Sequence, residues 1–169
     1  MKLLKRITDA DILGASGISN AAPRLTARAI VRNPHGQYAV MCAQKYGFYS
    51  LPGGGMDPHE SPENAVRREV LEETGCECMA VEPLGCVEEN RAHCDKTRLS
   101  FYFVVATNSV QLNPRFTDAE LEEGTTVNWY SWEEAWHLIA DTEYRTAKWK
   151  FLQARDMAAL DAYRNAYLK

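Results

Sequence analysis

Hydrophobic and polar positions alternate most clearly in the first quarter of the chain. Arg24 to Arg32 reads RLTARAIVR, an apolar and β-branched run that predicts a strand. Asn33-Pro34-His35-Gly36 predicts a turn, Gln37 to Ala43 the returning strand, and Phe48 to Leu51 a short third strand. The third strand runs into Leu51-Pro52-Gly53-Gly54-Gly55, where the backbone turns sharply and its carbonyls can approach a ligand. Ser61 followed by Pro62 predicts a helix start, and Gly75 falls where a left-handed cap would end it, so a helix spans Pro62 to Thr74. Val66 and Val70 form the stripe that docks this helix on a core.

Beyond the helix, Cys78 to Val87 reads as a strand broken by Pro83 and Gly85, and Leu99 to Ala106 (LSFYFVVA) is the clearest strand of all. Residues 108–124 form a long polar connection, followed by a strand over Thr126 to Tyr130. Ser131, with Glu134 at the capping-box position, starts a short helix through Ile139. A last helix from about Glu143 to Tyr167 carries Trp149, Leu152, Leu160, Tyr163 and Tyr167 near one face, which should pack on the chain itself. Strands around a central helix, then terminal helices, predict an α/β layered domain.

Composition narrows the function classes. With 169 residues, 46% hydrophobic and 25% charged, the chain is expected to form one globular domain with ample core. A net charge of −4 argues against a protein that coats nucleic acid, so no stable nucleic-acid partner is expected. No apolar run approaches the ~20 residues of a membrane span. Asp9 and Asp11 interrupt any signal-peptide core, so no membrane association and a cytoplasmic location are expected. The cysteines (42, 76, 78, 86 and 94) are odd in number and match no familiar zinc spacing, which favours reduced thiols.

The candidate chemistry lies on the central helix. Glu69, Glu72 and Glu73 stand at i, i+3 and i+4 and share a face, with Arg68 four residues before Glu72. A solvated acidic face is the ordinary reading of such a cluster. Carboxylates crowded this way also repel unless a counter-charge is present, and oxygen-only donors suit hard cations, Mg²⁺ or Mn²⁺.

The whole run from Gly54 to Cys76 resembles the Nudix box, G-x5-E-x7-R-E-U-x-E-E-x-G-U, with Gly54, Glu60, Arg68, Glu69, Val70, Glu72, Glu73 and Gly75 each in place. Cys76 replaces the usual final aliphatic residue, and His59 stands where a glycine often precedes the first glutamate. The lead-in Tyr49-Ser50-Leu51-Pro52-Gly53-Gly54 is similar to the family's W-x-L-P-G-G. Compatible flanking strands extend the resemblance to about residues 24–140, with the C-terminal helix (about 143–167) beyond it in the same domain.

The resemblance implies an α/β/α sandwich with a mixed central sheet, and metal-dependent hydrolysis of the pyrophosphate linkage in a nucleoside diphosphate derivative. Glu69, Glu72 and Glu73 match the family's metal-binding glutamates, the Gly53 carbonyl is a further ligand, and Glu60 and Arg68 support them. The general base is a box glutamate or a residue of the acidic downstream loop, which holds Asp118, Glu120, Glu122 and Glu123, with Glu120 the candidate carried forward. Tyr46, Phe48 and Tyr49 are candidates to stack on a base, and Lys45, Arg91, Lys96 and Arg98 to reach phosphates. The substrate marks of the NADH, coenzyme A, ADP-ribose and diadenosine subfamilies are absent. A small nucleotide is the expected partner (a nucleoside triphosphate, an oxidised nucleotide or ADP-ribose), bound by a monomer or homodimer. A non-catalytic nucleotide-sensing domain of the same family is the alternative, although sensors commonly lose box carboxylates and this chain keeps them.

Overall fold

The computed structural model describes residues 1–168. In chain order its elements are β1 (Leu3–Thr8), α1 (Asp9–Leu13), β2 (Arg24–Arg32), β3 (Tyr38–Ala43), β4 (Phe48–Ser50), β5 (Gly53–Gly55) and α2 (Pro62–Thr74). There follow β6 (Cys76–Arg91), β7 (Lys96–Gln111), α3 (Asp118–Glu122), β8 (Thr125–Tyr130), α4 (Trp132–Ala140) and α5 (Ala147–Tyr167). The strands form one sheet in the order β1-β6-β7-β2-β3-β4, with β5 paired to β2 and β8 to β3. The β1/β6 and β2/β7 pairs are parallel and β2/β5, β3/β4, β3/β8 and β6/β7 antiparallel, so the sheet is mixed.

Period-2 alternation divides the strand residues between two buried layers. Ala27, Ala29 and Val31 of β2 and Phe103 and Val105 of β7 cluster with Ala65, Val66 and Val70 of α2. Ile30 and Tyr102 fall on the other face, with Ile139 of α4 and Phe151, Ala159 and Leu160 of α5. Both faces of the sheet are therefore covered by helices, which makes the architecture an α/β/α sandwich.

Partner exchange along β2 opens the sheet. Thr26, Ala27 and Arg28 pair with the glycines of β5, whereas β3 meets β2 in register only at Arg32–Tyr38. The two strands diverge from that point, and the gap lies beside the Gly-rich segment.

Several element bounds differ from the sequence expectation. The strand expected over Cys78 to Val87 runs unbroken from Cys76 to Arg91, because register shifts, one of them between Pro83 and Gly85, absorb the two breakers as a bulge. Its partner β7 extends to Gln111 along the same ribbon. The polar connection after it contains α3, where Thr117 and Glu120 form a capping box. The last helix begins at Ala147 rather than Glu143, and Tyr144 instead packs with Ala43 and Phe48. β1 and α1 were not anticipated: Ile7 is the only buried residue of β1, too little to register as a pattern.

Candidate functional site

The site is assembled where α2 meets β5. Ser61 caps the helix, its hydroxyl accepting from the Asn64 N–H at 3.1 Å, and Pro62 occupies the first turn. This start sets the rotation of the helix, so that Val66 and Val70 face the sheet and Glu73 reaches beneath the glycine segment. The Gly53 N–H donates to Glu73 Oε2 at 2.6 Å. Gly53 has φ +130°, and a Cβ there would lie 2.3 Å from the Ala27 carbonyl oxygen, so no other residue fits. Gly54 passes directly over Glu69, with its missing Cβ only 2.5 Å from Glu69 Oε1.

Arg68 gathers the acidic groups. Its guanidinium donates to Glu60 at 3.1 and 3.0 Å, to Glu69 at 2.9 Å, to Glu72 at 3.2 Å and to the Gly55 carbonyl at 2.9 Å. Glu60 also accepts from the Asp57 N–H at 3.0 Å, and these bonds, chiefly that from Arg68, hold its pKa below the usual range. Burial raises the pKa of Glu69 despite Arg68. Glu73 is buried, and desolvation pushes its pKa up to about 8, with Glu69 adding to the rise.

This donor set fits a hard divalent cation. All the groups are oxygens, and burial beside Glu69 keeps the Glu73 carboxyl pKa raised although Arg28 and the Gly53 N–H favour its ionised form. Among the described residues no three acidic, His or Cys side chains already converge as a cage. The geometry of Arg68 explains this, since it draws Glu69 and Glu72 onto its own guanidinium.

A cleft of about 450 Å³ opens above the glycines. Its walls include Gly53, Gly54, Gly55 and Glu73, then Phe48, then Glu120 and Glu123, and finally Arg24, Arg28, Arg98 and Lys148. The expected loop residue Glu120 is therefore at the cleft, close enough for its charge to raise the Glu73 pKa, while its carboxylate caps Thr117 at 2.7 Å. Of the expected substrate contacts Phe48 and Arg98 line the cleft, where Phe48 stacks on Trp149 with centroids 4.4 Å apart. Tyr46 is outside it against Trp149 at 5.1 Å, and Tyr49 belongs to the layer beneath α4 and α5. Arg91 is buried, bonded to Glu89 and laid over Phe151 at 4.8 Å.

A model of the NUDIX domain matches residues 22–154. The chain belongs to the Nudix family. An RNA pyrophosphohydrolase of Vibrio cholerae is 46% identical over 54 residues, 31% of this chain and 30% of that protein, so the chain spans about a third of that relative's length. The nucleoside triphosphatase NudI of Enterobacter sp. is 32% identical over 103 residues, 54% of this chain and 73% of that one. The solved structure of a NUDIX hydrolase from Nitrosomonas europaea superposes with TM-score 0.61 at 22% identity, covering 85% of this chain and 90% of that one, which supports the fold.

Two parts of this Nudix site escaped the sequence reading. Arg24, Thr26 and Arg28 occupy one face of β2 and line the cleft; the alternation of RLTARAIVR carried that signal, since Leu25, Ala27 and Ala29 take the other face. The second is a clamp on the strand that leads into the glycines. The Leu51 N–H donates to Asp156 of α5 at 3.0 Å, and the Leu51 carbonyl accepts from Arg28 at 2.8 Å. Asp156 is fully buried and also accepts from Arg155 at 3.0 Å and from the Tyr102 hydroxyl. Burial works to raise its pKa, but Arg155 and Arg28 outweigh it and hold the carboxyl below its ordinary value. Nothing in the local sequence of α5 links Asp156 to a loop more than a hundred residues earlier.

Proposed function

We propose that this Nudix protein is a divalent-metal-dependent hydrolase that cleaves the pyrophosphate linkage of a nucleoside diphosphate derivative, in the class of nucleoside triphosphates, oxidised nucleotides or ADP-ribose. The reading rests on one observation: the Arg68-centred carboxylates and the buried Glu73 lie under the glycine segment of a cleft that also presents Arg24, Arg28 and Arg98.

Glu69, Glu72, Glu73 and the Gly53 carbonyl would hold Mg²⁺ or Mn²⁺. The bound cation would supply charge neutralisation and a more acidic water at the scissile phosphorus. Arg68 then acts as a brace: five hydrogen bonds fix Glu60, Glu69, Glu72 and the Gly55 carbonyl relative to one another, so the carboxylates need little reorganisation. The cleft arginines bind and orient phosphate oxygens, for which the planar guanidinium is suited. Phe48 and Trp149 offer an apolar wall for a base. Proton removal from the attacking water falls to Glu73, whose pKa lies near neutrality before charge neutralisation, or to Glu120 at the cleft wall.

The test is release of phosphate or pyrophosphate from a nucleotide panel with Mg²⁺ and with Mn²⁺, comparing the protein with Glu73→Gln and Glu120→Gln. Turnover should fall at least about 100-fold in Glu73→Gln. Glutamine can still accept the Gly53 N–H, so the melting temperature should stay close to that of the parent. Unchanged turnover in Glu120→Gln would assign the base to the box. Tight nucleotide binding with no turnover on any substrate would instead favour a sensing module.

A further inference from the structure

A second basic pocket adjoins the cleft. It has a volume of about 300 Å³ and is lined by Arg24, Arg91, Lys96, Arg98, Thr97, Asp95, Ala21 and Ala22. Four cations face one carboxylate there. Arg24 and Arg98 line both this pocket and the main cleft, so the two share a wall, whereas Lys96 lines only the side pocket.

The positive charge at this place is only partly balanced within the fold. Glu89 is bonded to Arg91, and it lies 3.8 Å from Arg98 and 3.6 Å from Arg155, which also pairs with Asp156, so two buried carboxylates serve these three guanidiniums. Asp95 accepts a hydrogen bond from the Ser19 hydroxyl at 2.7 Å. Among the described residues Arg24 and Lys96 have no carboxylate within ion-pair distance, and Nε of Arg28 and both terminal nitrogens of Arg155 are buried without a hydrogen-bond partner. Burial, then the neighbouring Arg155, lower the Arg98 pKa to about 10, and Glu89 offsets only part of that fall.

The pocket is also preformed. Its outer wall, the segment around Ser19 to Ala22, is tied to the sheet by Ser19 N–H to Asn90 at 2.8 Å, Asn90 to the Ser19 carbonyl at 2.9 Å, and Thr97 to the Ala21 carbonyl at 2.8 Å. Little ordering cost remains for a ligand that enters it. The register Arg24↔Arg98 places two long cations side by side across β2 and β7 at the junction with the cleft.

We infer that this side pocket binds a second phosphate group of the substrate, separate from the anhydride that is cleaved, so that the preferred substrate is a nucleotide carrying an additional phosphate monoester or phosphodiester. Such a ligand spans both chambers, with Arg24 and Arg98 contacting it at the junction and Lys96 and Arg91 at its far end. The inference rests on the hydrolase reading for the cleaved bond, but the binding of the extra phosphate can be measured without turnover.

The experiment compares adenosine 5′-triphosphate with two ligands that add a phosphate: its 3′-phosphate and a 5′-triphosphorylated dinucleotide. Affinities are measured by calorimetry without metal, and KM with Mg²⁺, for the parent, Lys96→Glu and Lys96→Arg. Lys96 is exposed and outside the proposed catalytic groups, so these variants should fold normally. At least one extended ligand should bind about tenfold more tightly than the triphosphate, as one added charge-assisted phosphate contact implies. That gain should vanish in Lys96→Glu and persist in Lys96→Arg, with the affinity for the plain triphosphate changed far less. The responding arm also tells a monoester from a diester. Equal affinity for all three ligands, or a gain that survives Lys96→Glu, would overturn the inference. Absence of turnover with intact binding differences would sink the hydrolase reading and leave the pocket assignment standing.

Discussion

At the scale of residues, the site depends on a backbone amide that only glycine can place. The Gly53 amide reaches Glu73 at 2.6 Å because the chain adopts φ +130° against the Ala27 carbonyl. Gly53→Ala would drive a methyl into backbone rather than into a yielding side chain. It should lower stability by at least about 1–3 kcal/mol, read from urea unfolding, and displace the amide from Glu73. Gly54 differs: its Cβ would meet the Glu69 carboxylate, the mobile end of a side chain. The box spacing made Gly54, Glu60, Arg68, Glu69, Glu72 and Glu73 legible as a group, since helical periodicity alone puts the three glutamates on one face. The spacing did not distinguish them. Glu73 is the buried member and Glu72 the most exposed because the sheet approaches one end of the cluster only.

Among elements, α5 has a larger part than its amphipathic pattern suggested. It covers one face of the sheet, contributes Lys148 and Trp149 to the cleft, and sends Asp156 to the Leu51 amide. Removing that carboxylate strands the Leu51 N–H, the Tyr102 hydroxyl and Arg155, all in the interior. Asp156→Ala should therefore destabilise the protein by about 3–5 kcal/mol in chemical denaturation, the range for a buried charge left unpaired. The strand and helix cores of β2, α2 and β7 were readable because their patterns are strong. The boundaries that moved, at β6, β7 and α5, were set by pairing across the ribbon and by Tyr144 packing on Phe48. A local pattern contains neither.

For the molecule as a whole, the interior charges set the response to pH. The folded-state pKa of Asp156 is held below its unfolded value, so its contribution is fully present above the unfolded pKa of about 3.9 and is lost as pH falls through the folded value. The midpoint of urea unfolding should thus drop as pH is lowered below about 4, and Asp156→Asn should flatten part of that fall. A midpoint equally steep in the variant would assign the acid sensitivity to other carboxylates.

The sequence by itself determined the family, the α/β layering, and the set of oxygen donors on one face of α2. Each of these depends on spacing along a single element, which 3.6- and 2-residue periods translate directly into faces. Tertiary structure alone decided which glutamate is desolvated, which arginines line the cleft, and how Asp156 and Leu51 come to share a hydrogen bond. Burial, long-range pairing and charge balance depend on residues that meet only when the sheet opens between β2 and β3 and α5 closes over it. The side pocket has the same origin: Arg24, Arg91, Lys96 and Arg98 lie on three strands whose ends converge only in the folded sheet.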